Sequence, residues 1–214
     1  MIEKKILFAS GGIKLEGLIH QSEAPSVSGG VVLCHPHPQF GGDMENPVIH
    51  SGVHAAVEAG LSALRFNFRG VGGSEGTYSE GAGEREDVRA AVECLNATFG
   101  GQPHSLIVLG YSFGAWVGSP VAVEDDRVKA MVAIAPPLEM FDFGFFRGCK
   151  KEKLVVAGTR DLYCPVHLLE KWSQTLDEPK SVVLVEGADH FFFSHHRSII
   201  PALVEFFKRV IPQI

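Results

Sequence analysis

The stretch Gly110-Tyr111-Ser112-Phe113-Gly114 sets a serine between two glycines, directly after the apolar run Leu106-Ile107-Val108-Leu109. A strand that turns sharply into a helix strains the residue at the turn and lifts its side chain over the sheet edge. Small residues two before and two after that point let the backbones pass closely. The amides that open the following helix, Phe113 first, then lie beside the serine hydroxyl, where they can stabilise an oxyanion. Ser112 is therefore a candidate nucleophile. The alternative is a glycine-rich turn with an incidental serine.

Two later segments supply partners for it. Gly158-Thr159-Arg160-Asp161 follows the apolar run Leu154–Ala157, and Glu186-Gly187-Ala188-Asp189-His190 follows Ser181–Val185. A nucleophilic serine needs a base to take its proton and an acid to hold that base in the useful tautomer. His190 is the expected base and Asp161 the expected acid. Glu139 and Asp142, after an earlier strand, are the rival acids. Asp189 is adjacent to His190, and neighbouring side chains rarely reach each other's ring nitrogens, so it reads as a turn residue.

The elements that must position these residues follow from the apolar pattern. Residues 5–8 and 14–19 flank Ser10-Gly11-Gly12 as an antiparallel hairpin. Short apolar strands are predicted at 31–34, 62–68, 106–109, 129–134, 153–157 and 181–185. Helices are predicted at 48–58, with Asn46 as cap and Pro47 as first residue, at 84–99, from 113, at 166–176 and at 198–210. A hairpin followed by alternating strands and helices implies an α/β fold with a mostly parallel sheet and helices on both faces. Ligands of such sheets sit at the carboxyl ends of the strands, where Ser112, Asp161 and His190 all fall. The 214 residues are read as one domain.

The order Ser, Asp, His resembles that of the α/β-hydrolase superfamily, and the similarity runs along nearly the whole chain. Cys34-His35-Pro36-His37-Pro38 with Gly41, Gly42 and Met44, and Arg65-Phe66-Asn67-Phe68-Arg69-Gly70-Val71-Gly72-Gly73-Ser74, resemble small cap-less members near the dienelactone hydrolases. Dienelactone hydrolases proper use a cysteine where Ser112 stands, which shifts the expectation to general ester chemistry. The resemblance implies that His35–Pro38 matches the superfamily's His-Gly-X-Pro loop, with the amide of His37 as a second oxyanion donor beside that of Phe113. It implies a carboxylesterase-like serine hydrolase acting on a small-molecule ester or thioester of small to medium acyl group, without a cofactor. A peptidase or amidase on the same triad, and a non-catalytic binding protein on this fold, are the alternatives.

Composition narrows the rest. A formal charge of −6 and the absence of a Lys/Arg block argue against nucleic acid. No apolar run is long enough for a bilayer and no secretory pattern opens the chain, so a cytoplasmic protein with no membrane contact is expected. A homo-oligomer is left open. The cysteines Cys34, Cys94, Cys149 and Cys164 form no metal or disulfide pattern. Of the 10 histidines, the pairs His35/His37 and His50/His54 are spaced for a metal, but the second lacks the glutamate of a zinc-protease helix; no metal is expected. Gly70–Gly76 is read as a loop packed beside the active site. Phe141, Phe143, Phe145, Phe146 and Phe191–Phe193 either line an apolar pocket over Ser112 or fill the core beneath a short loop.

Overall fold

The structure, a computed structural model, describes residues 2–21, 29–99 and 105–211. Eight strands form one sheet: β1 (Ile2–Ser10), β2 (Ile13–Gln21), β3 (Gly29–Cys34), β4 (Ser62–Phe66), β5 (Ser105–Tyr111), β6 (Val128–Ile134), β7 (Glu152–Gly158) and β8 (Lys180–Val185), in the order β1-β2-β4-β3-β5-β6-β7-β8. β1 and β2 are antiparallel to each other, and β2 is antiparallel to β4; every later pairing is parallel. Among the described residues five α-helices connect and cover them: α1 (Pro47–Glu58), α2 (Ala82–Ala97), α3 (Phe113–Glu124), α4 (Val166–Gln174) and α5 (Ile200–Val210). Among the described residues no helix is long and apolar enough to cross a membrane.

The central strands are apolar without alternation because both of their faces are covered. Val31, Leu33, Ile107 and Leu109 point into a core shared with α1 and α5. Their neighbours Val32, Cys34, Leu106 and Val108 point into a second core with α2 and α3. α4 caps Val155 and Ala157 through Leu169. α1 starts as predicted, with the Asn46 side chain accepting the Val48 N–H at 2.9 Å and Pro47 as the first helical residue.

Several boundaries differ from the sequence expectation, three of them for reasons visible in the packing. The hairpin is longer, because β1 is an edge strand whose exposed, charged residues still pair along its whole length with β2. β4 stops at Phe66 rather than Phe68. Asn67 N–H still donates to Glu16 C=O at 3.0 Å, but Asn67 C=O accepts from Ser74 Oγ and Phe68 N–H donates to His35. The Asn67 side chain accepts from Met44 N–H at 2.8 Å and donates to Glu16 at 2.6 Å. The last helix is preceded by a 3₁₀ turn, His196–Ile199, before α5 begins.

Candidate active site

Ser112 sits where β5 ends and α3 begins, with φ 54° and ψ −117°. A positive φ is costly for a residue with a Cβ and persists only where the surroundings over-determine it. Here they do. Ser112 N–H donates to Ile134 C=O at 2.8 Å, and its own C=O accepts from Ala115 N–H at 2.9 Å. A Cβ on Gly110 would lie 2.3 Å from Gly114 O, and one on Gly114 would lie 2.1 Å from Cys34 O. The two glycines are therefore required by contact between β5, α3 and the end of β3.

Asp161 and His190 reach the same point from the next two strand ends. Thr159 N–H donates to Val185 C=O and Arg160 N–H to Ala188 C=O, at 3.0 and 2.9 Å, which clips the β7 and β8 loops together. His190 Nδ1 lies 3.0 and 2.9 Å from the two Asp161 carboxylate oxygens, and His190 Nε2 lies 2.9 Å from Ser112 Oγ. A carboxylate only accepts, so Nδ1 carries the proton and Nε2 is left to accept from the serine hydroxyl. Asp161 Oδ1 also accepts the N–H groups of Tyr163 and Cys164, both at 2.8 Å. These bonds satisfy a carboxylate whose side chain is wholly buried. The rival acids lie elsewhere. Glu139 is exposed, and the exposed Asp142 accepts from Gly144 N–H at 2.9 Å. Asp189 is the turn residue expected, accepting from Phe191 and Phe193 N–H.

A model of the α/β hydrolase domain matches residues 29–202. The chain belongs to the α/β-hydrolase family. It is 32% identical over 187 residues to an uncharacterised protein of Rickettsia prowazekii, covering 84% of this chain and 78% of that one. Among solved structures it is similar to an α/β serine hydrolase homologue from Coxiella burnetii, with TM-score 0.88, 30% identity, and 96% and 97% of the two chains covered. It is equally similar in shape to an α/β serine hydrolase without a lid from Xanthomonas campestris, with TM-score 0.88, 28% identity, and 99% and 96% covered.

In this hydrolase the loop after β3 closes the other side of the serine. His37 is followed by a 3₁₀ turn, Pro38–Phe40, and its Nδ1 accepts the Gln39 N–H at 3.2 Å. Nε2 therefore bears the ring proton and faces Tyr78 Oη at 3.3 Å. Burial pushes the His37 imidazole below its ordinary pKa, opposed by the charge of Glu84. Among the described residues the main-chain N–H groups of His37 and Phe113 have no acceptor. That of Phe113 is free because the first amides of a helix have no partner in their own helix.

Ser112 opens into a cavity of about 450 Å³ with an aromatic wall of His37, Phe40, Phe113, Phe141, Tyr163 and Phe191. The phenylalanines named from sequence, Phe193 apart, divide between the two roles foreseen for them. Phe141 and Phe191 line the cavity, whereas Phe143, Phe146 and Phe192 are buried in the cores. Phe145 is half-buried against them, and Phe193 is exposed. Gly70–Gly76 does not line the cavity. Gly73 N–H donates to Glu16 and Ser74 Oγ to Asn67 C=O, which fixes this loop on β2 and the end of β4.

Two supporting residues escaped the sequence reading. His35 is fully buried, with Nδ1 donating to Pro36 C=O at 2.6 Å and Nε2 accepting from Phe68 N–H at 3.0 Å. It ties the loop after β3 to the end of β4, and burial pushes its pKa down to about 4. Tyr111 donates its hydroxyl to His190 C=O at 2.8 Å, which holds the histidine loop down onto β5. Both bonds join distant segments, so no local spacing announces them. Among the described residues no group of three or more His, Cys, Asp or Glu side chains is arranged to hold a metal ion.

Proposed function

We propose that this hydrolase cleaves a carboxylic ester or thioester of small to medium acyl group through an acyl-enzyme intermediate. Ser112 Oγ attacks the acyl carbonyl while His190 Nε2 takes its proton. Asp161 holds the imidazole and stabilises the imidazolium that forms. The amides of Phe113 and His37 receive the oxyanion. His190 then gives the proton to the leaving oxygen or sulfur. Water, deprotonated by the same nitrogen, releases the acid and restores Ser112.

The observation that carries this reading is the proton path from Ser112 Oγ through His190 to a buried carboxylate, with every contact at 2.9–3.0 Å. The strained turn that presents the serine adds to it, as does the resemblance to a lidless serine hydrolase. The cavity supports a modest acyl group, since about 450 Å³ lies within the range of small-molecule sites. A panel of 4-nitrophenyl esters, acyl thioesters and acyl-4-nitroanilides tests it. Turnover of esters or thioesters well above the anilides is expected. Preferential cleavage of the anilides would make the protein an amidase, and no turnover of any of them, with no labelling of Ser112 by an acylating probe, would make it a binding protein on this fold.

A further inference from the structure

The sheet has two open sides, and they are built differently. β1 ends one side and carries Glu3, Lys4 and Lys5, charges of the kind that discourage edge pairing. β8 ends the other, and its stretch Ser181-Val182-Val183-Leu184-Val185 holds no charge, proline or glycine. Val185 C=O accepts from Thr159 N–H at 3.0 Å, so Val185, and by alternation Val183 and Ser181, turn their main-chain groups toward β7. Those of Val182 and Leu184 point away from the sheet. The side chains of Val182 and Leu184 are 40% and 43% exposed, on the face opposite the core that takes Val183 and Val185. Among the described residues no strand pairs with this side.

We propose that β8 pairs with β8 of a second copy of this chain, antiparallel and about a two-fold axis at Val183, joining the two sheets into one. The inference is independent of the catalytic reading. The register follows from the chain itself. Outward-pointing groups must meet outward-pointing groups, which leaves registers that differ by two residues. With the axis at Val183, Val182 faces Leu184 of the partner subunit and each exchanges both its N–H and its C=O. The four exposed apolar side chains then share one face. In the same register Lys180 faces Glu186 of the partner subunit on both sides of the axis. Glu186 is exposed, and its carboxylate has no partner among the described residues. Moving the axis one residue toward the N-terminus sets Glu178 against Glu186 of the partner subunit, and moving it one residue toward the C-terminus separates the lysine from the glutamate. Charge and main-chain geometry therefore select the same isologous arrangement. One short strand pair is a small interface, so the dimer should be reversible and dependent on concentration.

Sedimentation of the full chain over a wide concentration range tests this. A monomer–dimer equilibrium is expected. Lys180→Glu and Glu186→Lys should each weaken it by roughly tenfold or more, since every substitution acts twice across the axis. The double exchange should restore it. Lys180 Nζ also donates to Leu176 C=O and lies 3.6 Å from the Glu178 carboxylate within its own chain, so a thermal melt accompanies its variant; Glu186→Lys disturbs no such bond. Leu184→Arg should likewise give monomers. A monomer at every concentration would overturn the proposal. A dimer indifferent to Glu186→Lys and Leu184→Arg, or a double exchange that fails to re-form it, would overturn it too.

Discussion

Among the described residues two serines bond to a histidine, Ser112 to His190 at 2.9 Å and Ser51 to His196 at 3.2 Å. Both serines are buried, and both pairs border a cleft; the groove beside Ser51 is the larger, at about 980 Å³. It also gathers more histidines, with His20, His50 and His54 in its walls. By residue type the second cleft is the richer. What separates the two is where each proton can go. Ser51 is inside α1 and donates its hydroxyl to Pro47 C=O at 3.0 Å, the back-bonding of a helical serine. Among the described residues no carboxylate backs the other ring nitrogen of His196, Nε2, and a helix interior has no spare amides to receive an oxyanion. His50 and His54 each face a glutamate, Glu45 at 2.8 Å and Glu58 at 3.6 Å. Ser112 has all the parts that Ser51 lacks: a strained turn, a base whose tautomer a buried acid fixes, and two unpaired amides. The lesson is that a serine–histidine contact is common, and the third group and the backbone around it give it chemistry.

That contrast can be broken by mutation. The largest effect is expected from Ser112→Ala, which removes the proposed nucleophile and should abolish ester turnover in a protein that still folds. Asp161→Asn should lower kcat by about 10⁴, because the amide no longer holds the imidazole in the productive tautomer. Asp142→Asn should leave the rate within a small factor. Steady-state kinetics on a short ester separates them, and a crippled Asp142→Asn with a healthy Asp161→Asn would move the acid to the loop after β6.

The proposed oxyanion loop sharpens the comparison further. His37→Pro removes a main-chain donor and should cost at least the 10²–10³ in kcat typical of such a loss. His37→Ala keeps the amide and should cost much less, although it removes the ring from the Phe40–Tyr78–Phe113 cluster. If the alanine variant lost as much as Ser112→Ala, the imidazole itself would be catalytic. The smallest effect on rate belongs to the second cleft. Ser51→Ala and His196→Ala should each leave kcat within about twofold, since neither touches a group that the proposed reaction uses.

A pH measurement probes the brace behind the loop. His35 is held neutral in the folded protein, with its pKa down from 6.5 to about 4, so the unfolded chain binds the proton more readily. Stability contributed by the neutral ring is present above pH 6.5 and is lost as the pH falls from there toward 4. Burial and Arg65 also lower His20, which acts in the same direction. Urea unfolding at pH 7 and pH 5 should show a loss on the order of 2 kcal/mol from His35. His35→Asn should be less stable at pH 7 and lose less on acidification. A wild type that gains stability at pH 5 would contradict the buried neutral histidine.

Much of this was legible in the sequence for physical reasons. β3 and β5 are covered on both faces and so appear as unbroken apolar runs. Ser112 and Asp161 follow such runs, His190 follows the apolar but half-exposed edge strand β8, and the fold of parallel strands delivers strand ends to one place. The edge strand β1 was read short because its charged residues carry no burial signal, and only its pairing with β2 extends it. Asn67 and Phe68 read as strand because their types suit one, but Asn67 C=O bonds to Ser74 Oγ and Phe68 N–H to His35, side chains that no local pattern places there. The bonds of His35 to Phe68 and of Tyr111 to His190 could not be foreseen, since each joins residues that only the folded sheet brings together.

The account rests on Ser112 being the residue that becomes acylated. Treating the protein with a fluorophosphonate probe and mapping the adduct by mass spectrometry tests that directly, with Ser112→Ala and Ser51→Ala run beside the wild type. One adduct on Ser112 is predicted in the wild type and in Ser51→Ala, and none in Ser112→Ala. An adduct on Ser51, or undiminished labelling of Ser112→Ala, would contradict it.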